Sequence, residues 1–291
     1  MRRIEESELI INPNGSIYHL NLLPEHIAED IIVVGDPQRV EIISNYFDSV
    51  EVKIYNREFV THTGHLNGKR LTVLATGIGT DNIDIVMNEL DALVNIDLKT
   101  RQVNSHHKKL NIIRLGTSGA LQKDIPVDSF VFSSYGLGLD GLLNYYKGGN
   151  QIIEKEMTNK FIDFSNWDEA LSKPYIVKAS SVLEDKISRG MYKGITATAP
   201  GFYGPQGRIL RLELANPNIN KSLEDFNFNN HLITNFEMET SAIYGLGKLL
   251  GHKTATVCAI IANRYSKTYS KDHKKTVVKL IETLLDRLTT N

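Results

Sequence analysis

The sequence has a single cysteine, Cys258, in 291 residues. One cysteine excludes a disulfide framework and a metal site built from several cysteines. The chain also lacks an excess of charge of either sign, because 33 lysines and arginines stand against 34 aspartates and glutamates. A balance so close to neutral gives no electrostatic basis for binding nucleic acid or an anionic membrane surface.

Long apolar runs are missing as well. No stretch approaches the roughly 20 apolar residues that span a bilayer, and the start, MRRIEESE, is charged where a signal peptide would have an apolar core. We therefore expect a cytoplasmic protein. The hydrophobic content of 41% can bury a large core. Since no repeat or low-complexity linker interrupts the chain, we predict one domain over residues 1–291.

Strand and helix patterns alternate along the chain. Predicted strands cover residues 31–34, 58–66, 70–75, 111–115, 129–133, 192–198 and 253–262, and predicted helices cover 37–47, 81–94, 174–189, 238–250 and 274–288. Asn67-Gly68 is a strong hairpin signal between two of these strands. This order predicts an α/β fold with a mixed, twisted sheet flanked by helices. The basic stretch 99–109 is expected to be a solvated loop.

The first candidate site follows the apolar strand at 31–34. Gly35 allows close approach of the backbone, Asp36 can cap a helix, and Pro37 suits the first helical position. The N-terminus of a helix favours a phosphate group. Arg39 in the first turn is electrostatically misplaced unless an anion joins it, so the sequence predicts an anion here.

A second arginine, Arg114, lies inside a strand that is otherwise apolar. Burying its charge without a partner is costly, and either a carboxylate or a bound anion could be that partner. The residues that follow, including Thr117, supply hydroxyl and backbone N–H groups at the carboxyl end of the strand, where open α/β sheets bind ligands. Together with Arg39, they favour the anion.

Two later segments carry groups of another kind. Residues 201–208 combine two aromatic side chains with Gln206 and Arg208, which suits stacking on a planar ring and hydrogen bonding to its edge. An ordinary surface turn with its aromatics in the core is the alternative. Residues 235–239 contain two acids at the start of a predicted helix. The helix dipole alone favours acids there, but a carboxylate in a cleft is also the usual partner of a ribose diol.

Seven motifs occur in the order found in the nucleoside phosphorylases of the hexameric type. They are GDPxR at 35–39, NREF at 56–59, TGIG at 76–79, RxGTxG at 114–119, FYxxQxR at 202–208, EME at 237–239 and NR at 263–264. Any one is weak, but seven in order are specific, and the chain most resembles the uridine phosphorylases within that family. The resemblance implies a partly barrel-like sheet and a pentosyltransferase that converts uridine and phosphate to uracil and ribose 1-phosphate.

The resemblance also implies a role for each motif residue. Phosphate would be held by Gly35, Arg39, Arg114, Thr117 and a neighbouring subunit's Arg57, the ribose by Met238, Glu239 and His19 (the last also across the interface), and the base by Phe202, Gln206 and Arg208. Arg208, Gln206 and Arg114 would be catalytic. The enzyme would use inorganic phosphate, no metal and no organic cofactor. It would be a homo-oligomer with a dimer as its minimal unit, and a hexamer built from dimers fits this pattern.

Departures from the family pattern leave several points open. Asn263 stands where purine-acting members usually have aspartate, which favours a pyrimidine, but the loop around Gly204 and Gly207 differs from the uridine type. Residues 80–82 also differ near a monovalent-cation site of some relatives, so an interface cation stays open. A purine nucleoside phosphorylase, a nucleoside hydrolase and a catalytically silent nucleoside-binding protein are the alternatives. The GxGxxG match at 136–141 precedes no convincing helix and is expected to be accidental.

Overall fold

The computed structural model describes residues 3–290. Its helices are α1 (Pro37–Ser44), α2 (Thr80–Asn95), α3 (Gly149–Ile152), α4 (Lys155–Ser165), α5 (Ser181–Ile187), α6 (Ile219–Asp225), α7 (Thr240–Leu250) and α8 (His273–Thr289), with 3-10 turns at Pro24–His26, Leu142–Tyr145 and Gly204–Gln206. Its strands are β1 (Asp30–Val34), β2 (Ser49–Asn56), β3 (Phe59–Leu66), β4 (Lys69–Ala75), β5 (Ile96–Asp97), β6 (Gln102–Val103), β7 (Asn111–Ala120), β8 (Phe130–Gly138), β9 (Tyr175–Lys178), β10 (Tyr192–Thr198), β11 (Asn227–Phe228), β12 (His231–Glu237), β13 (Lys253–Asn263) and β14 (Thr268–Tyr269).

Twelve of the strands form one sheet, and part of that sheet closes on itself. The strands β12, β10, β8, β13 and β7 are neighbours in that order, and β12 pairs back with β7 at Asn235–Ala120 and Phe236–Gly119. From β7 the sheet continues outward through β1, β4, β3 and β2. Helices flank this sheet. The predicted mixed α/β fold with a partly barrel-like sheet is therefore confirmed.

The central strand β1 positions the first candidate site. Its apolar residues are fully buried, and it runs parallel to both β4 and β7. The chain leaves β1 at Gly35, and Asp36 caps α1 by accepting a hydrogen bond from the Gln38 amide at 3.0 Å. Pro37 occupies the first helical position, as its fixed φ favours. The predicted strand–turn–helix is confirmed, although α1 ends at Ser44.

The helix predicted over residues 174–189 is wrong in its first half. Tyr175–Lys178 instead form β9, which pairs antiparallel with β8, and α5 begins only at Ser181. The run Tyr175-Ile176-Val177 is aromatic and β-branched and fully buried, which is typical of a strand that completes a sheet. The free edge of β8 is a tertiary feature that local helical spacing does not reveal.

Other boundaries also differ from the predictions. Strand β7 continues to Ala120, so residues 116–119 lie within the strand rather than after it. Strand β12, which was not predicted, ends at Glu237, and α7 begins at Thr240 rather than at Met238. Strand β7 is longer than predicted because its last residues pair with β12 and β13 in the closed part of the sheet. The stretch 99–109 includes β6, which forms a short hairpin with β5, and strand β2 was not predicted.

The glycines of the GxGxxG match serve close packing. A Cβ on Gly136 would lie 3.0 Å from the Ser241 Cα, and a Cβ on Gly138 would lie 2.3 Å from the Tyr175 ring. A 3-10 turn follows in place of a phosphate-binding helix. Over residues 3–290 no helix is both long and apolar enough to cross a membrane. The same part of the chain holds no group of three or more side chains suited to bind a metal.

Candidate active site

One cavity of about 500 Å³ brings together all but two of the predicted site residues. It lies where β1 and β12 end, alongside β7 from Arg114 to Gly119. Its lining includes Gly35, Arg39, Arg114, Thr117, Phe202, Gln206, Arg208, Met238 and Glu239. These nine residues come from four separate segments of the sequence, so the two arginines, the aromatic loop and the start of α7 share one space.

Arg39 gives the first end of the cavity its positive charge. Its Nη1 donates to the Leu115 carbonyl at 3.1 Å. Burial lowers the pKa of Arg39, and the neighbouring Arg114 lowers it further. Among the described residues no carboxylate forms an ion pair with this guanidinium. Gly35 and Thr117 lie in the same wall, so an anion bound here would offset the cost of holding the two cations together.

Arg114 is buried and already has carboxylate partners. It donates to the Glu239 carboxylate, and its Nε lies 3.3 Å from Glu237 Oε2. Burial alone would lower the pKa of Arg114, but the two carboxylates raise it above its ordinary value. The sequence left open whether the partner of Arg114 is a carboxylate or a bound anion. The structure is compatible with both, since an arginine paired with carboxylates at the cavity wall can still present N–H groups to an anion.

Gly116 makes this position of Arg114 possible. A Cβ at residue 116 would lie 1.5 Å from Arg114 Nη1. The Arg114 side chain therefore runs across the face of its own strand, through space that any other residue would fill. The spacing Arg-x-Gly in the sequence reflects this steric requirement.

The two acids at the start of α7 have different surroundings. Glu237 accepts hydrogen bonds from the Thr240 amide at 3.0 Å and from the Thr198 hydroxyl at 2.7 Å. Glu237 is thus the acid that satisfies the helix N-terminus, and burial raises its pKa. Glu239 instead accepts from the Gly79 amide at 2.8 Å and from Arg114. Its carboxylate lines the cavity beside Met238.

The aromatic loop forms the other end of the cavity. Phe202 is 51% exposed and lines the space, so its ring does not pack in the core as in an ordinary surface turn. The Arg208 guanidinium lies 3.8 Å from the centroid of that ring and donates to Gln206 Oε1 at 2.6 Å. Burial and then the charge of Arg264 lower the pKa of Arg208 to about 10. Over residues 3–290, no carboxylate pairs with Arg208.

Arg264 contacts the backbone of this loop. Its Nη2 donates to the Gln206 carbonyl at 3.2 Å. The neighbouring Asn263 is buried, and its Nδ2 donates to the carbonyls of Gln122 and Ile125 at 2.9 and 2.8 Å. The Asn263 side chain thus stabilises the turn after β7. It is not among the residues that line the cavity.

Several lining residues were not predicted from the sequence. They are Ile78, Phe236, Glu237, Ile261, Ala262 and Tyr269. Glu237 could have been found, because it is the first acid of the EME motif. Tyr269 gave no local signal, because it reaches the cavity only through the pairing of β14 with β13 at Ala262.

His19 and Arg57 lie outside the cavity of their own chain. Arg57 occupies the turn between β2 and β3 with a left-handed φ of 56°, and its Nη2 lies 3.3 Å from the Tyr18 hydroxyl. His19 Nδ1 lies 2.7 Å from Glu89 Oε1. Asn56 Nδ2 donates to the His19 carbonyl at 2.7 Å. The two residues therefore belong to one continuous surface.

The fold and the sequence agree with one family of known proteins. Residues 29–290 match the sequence profile described as the phosphorylase superfamily. A uridine phosphorylase of Thermococcus kodakarensis is 29% identical over 263 residues, which cover 90% of this chain and 82% of that protein. A DeoD-type purine nucleoside phosphorylase of Clostridium perfringens is 28% identical over 274 residues, 92% of this chain and 97% of that protein.

A solved structure gives a similar result. The crystal structure of a Trypanosoma brucei nucleoside phosphorylase, which shows uridine phosphorylase activity, superposes with a TM-score of 0.88. Its sequence is 30% identical, and the match covers 97% of this chain and 100% of that one.

Proposed function

This chain belongs to the phosphorylase superfamily, and we propose that it cleaves uridine with phosphate to give uracil and ribose 1-phosphate. One observation carries the proposal. A single cavity combines a cationic anion site, a ribose-type carboxylate and an aromatic, hydrogen-bonding end. The anion site suits phosphate, the carboxylate suits the sugar of the nucleoside, and the aromatic end suits its base.

The chemistry follows from this layout. A phosphate oxygen forms a bond to C1′ of the nucleoside while the bond from C1′ to the base nitrogen breaks. The bonding electron pair leaves with the base, so positive charge develops on the sugar and negative charge on the uracil. Arg208, unpaired by any carboxylate over residues 3–290, and Gln206 stabilise that negative charge as preorganised donors. The uracil anion then takes a proton from water, which gives neutral uracil.

The other cavity residues bind and orient the reactants. Arg39, Arg114, Gly35 and Thr117 hold the phosphate near the sugar. Glu239 accepts hydrogen bonds from the ribose hydroxyls, and the adjacent Met238 packs against the ring. Bound phosphate is both the nucleophile and the countercharge to the sugar, so the step requires no metal or organic cofactor.

We place His19 and Arg57 in the cavity of a second subunit. They share one surface, and neither reaches the cavity of its own chain. The proposed enzyme is therefore a homo-oligomer, with a dimer as the smallest unit in which a site is complete, and we propose that it acts in the cytoplasm. A hexamer built from such dimers and a monovalent cation between subunits are compatible with this arrangement.

Purine phosphorolysis is the second candidate, favoured by the DeoD-type relative at 28% identity. Parallel assays with uridine, thymidine and inosine in phosphate buffer distinguish the two. We expect release of uracil at a rate well above release of hypoxanthine. Cleavage of inosine alone would overturn the assignment of the base while leaving the phosphate site intact.

A further inference from the structure

A cluster of hydrogen-bonded side chains lies behind Glu239, outside the described lining of the cavity. Asp140 follows β8, and its carboxylate accepts hydrogen bonds from the Ser241 hydroxyl at 2.8 Å and from the Tyr175 hydroxyl at 2.9 Å. The Leu142 amide donates to the same carboxylate at 2.8 Å. These three donors satisfy the Asp140 carboxylate. Among the described residues, no cationic side chain forms an ion pair with it.

The cluster is tied to the beginning of α7. Ser241 is the second residue of that helix and lies two positions after Glu239. Its amide donates to the Thr198 hydroxyl at 2.9 Å, and that hydroxyl donates its proton to Glu237 at 2.7 Å. Glu237 in turn accepts from the Glu239 amide at 3.0 Å. An unbroken series of hydrogen bonds therefore runs from Asp140 to the backbone of Glu239.

The packing of the cluster leaves little freedom. Gly136 brings β8 close to the Ser241 backbone, where a Cβ would lie only 3.0 Å from the Ser241 Cα, and Gly138 makes room for the Tyr175 ring, which a Cβ would overlap. Tyr175, Thr198 and Ser241 are fully buried. The glycines that mimic a dinucleotide fingerprint thus allow β8 to pack against the first turn of α7, where Ser241 reaches Asp140.

We propose that Asp140, through Ser241 and Tyr175, is a positioning residue that fixes the Glu239 carboxylate for recognition of the ribose 2′-hydroxyl. The inference rests on the proposed function, in which Glu239 binds the sugar. Arg114 and Gly79 hold the carboxylate end of Glu239, whereas Asp140 fixes the turn of backbone from which it projects. Groups that orient a binding residue from behind commonly matter as much as the residue's direct contacts.

The substitution Asp140→Asn tests this role because it keeps the shape and removes the charge. We expect it to lower the ratio of kcat/KM for uridine to kcat/KM for 2′-deoxyuridine about tenfold. A residue that only stabilises the fold would lower both values equally. The preference for the ribo-substrate is thus a readout that a merely structural role does not change.

Tyr244→Phe is the matched control. Tyr244 is another buried tyrosine of this region, on α7 itself, and its hydroxyl donates to the Ser133 carbonyl at 2.6 Å, away from Asp140. Its substitution removes one buried hydroxyl bond without affecting the cluster. We expect it to leave the ratio for the two substrates within about twofold of the unmodified enzyme.

Glu239→Gln separates this inference from the proposed function. If Glu239→Gln and Asp140→Asn both lower the ratio, the inference is supported. If only Glu239→Gln lowers it, Asp140 is not a positioning residue, and the proposed function stands. If Glu239→Gln leaves the ratio unchanged, or the unmodified enzyme cleaves neither substrate, the ribose site is wrong and the inference is overturned with it.

The milder variants Tyr175→Phe and Ser241→Ala keep the test decisive if Asp140→Asn does not fold. Each removes one donor to Asp140 and leaves the carboxylate in place. A lowered ratio in both supports the inference, and an unchanged ratio in both overturns it. Thermal unfolding of each variant shows whether the protein under assay is folded.

Discussion

Inside the cavity wall the guanidinium of Arg114 donates to the carboxylate of Glu239, and both side chains are buried. The second carboxylate, Glu237, lies 3.3 Å from Arg114 Nε. This buried group links the proposed phosphate and ribose sites, because Arg114 belongs to the first and Glu239 to the second. Binding of phosphate and binding of the nucleoside therefore both depend on the ion pair between Arg114 and Glu239.

Arg114→Met should destabilise the protein as well as inactivate it. The change leaves two buried carboxylates without their cation, and breaking a buried pair in this way costs roughly 3–5 kcal/mol. Urea unfolding of the variant and the unmodified chain measures the loss. Adding Glu237→Gln and Glu239→Gln should restore part of the stability and none of the activity. A loss below about 1 kcal/mol would contradict the assigned pairing.

Gly116→Ala should inactivate the enzyme through Arg114. The new methyl group would lie 1.5 Å from Arg114 Nη1, so the guanidinium must move away from its partners. A misplacement of this size costs about a hundredfold in kcat/KM. Gly204→Ala is the control, because a Cβ there meets nothing within 4 Å. Equal effects of the two alanines would argue against a steric role for Gly116.

Arg208→Met should slow cleavage of uridine more than it weakens binding. The proposed role of Arg208 is to stabilise charge that develops only as the base departs, and loss of one such donor costs about 3–4 kcal/mol. We expect kcat to fall and KM to change little. The exposed Arg211, three residues along the same loop, provides the control Arg211→Met. A rise in KM alone would show that Arg208 serves binding and not catalysis.

Arg57→Ala should weaken the use of phosphate even though Arg57 lies outside the cavity of its own chain. We expect KM for phosphate to rise far more than KM for uridine. Coexpression with Arg39→Ala chains under a different tag tests whether Arg57 acts in trans. A mixed dimer then contains one site with both arginines intact, and activity should return. Mixed dimers without activity would contradict the assignment to a neighbouring subunit.

His62 should make the protein sensitive to mild acid. Its Nδ1 lies 2.8 Å from Ser44 Oγ and its Nε2 lies 2.9 Å from the Tyr55 hydroxyl, which joins α1 to the β2–β3 hairpin. Burial, and then the charge of Lys53, lower the pKa of His62 below 6.5. The folded chain thus binds this proton less readily than the unfolded chain, and stability falls as the pH drops below about 6.5.

Unfolding free energies between pH 7.5 and 5, measured in about half-unit steps, check this expectation. The contribution of His62 has a slope of at most about 1.4 kcal/mol per pH unit. His62→Gln should remove that contribution, and His65→Gln, a change at a less buried histidine of the same strand, should not. An unchanged slope in His62→Gln would show that other groups cause the loss.

The local sequence predicted those parts of the fold that local forces determine. The turn from β1 through Gly35 and Asp36 to α1 follows from residue types at fixed positions, and it was found as expected. The first half of the helix predicted at 174–189 was wrong because the edge of β8, a distant element, selects Tyr175–Lys178 as a strand. Propensity is a weak guide wherever tertiary pairing competes with it.

The residues of the candidate site also divide into those that the local sequence indicates and those that only the tertiary structure brings to the cavity. Arg39 and Arg114 were predicted because their charges are unusual in their local settings, whereas the role of Glu239 came from the resemblance to the family. Tyr269 was missed, because a short strand returning along β13 brings it to the cavity. Arg57 and His19 were expected to act from another subunit. Their separation from the cavity within one chain is compatible with that prediction, which the mixed-dimer experiment tests.

The formation of ribose 1-phosphate tests the central claim most directly. Purified protein is incubated with uridine, with and without inorganic phosphate, and the sugar product is identified by phosphorus NMR while uracil is measured by chromatography. We predict equal amounts of uracil and ribose 1-phosphate, and no uracil when phosphate is omitted. Uracil released with free ribose in the absence of phosphate would contradict the account, because a hydrolase needs no anion site at Arg39 and Arg114.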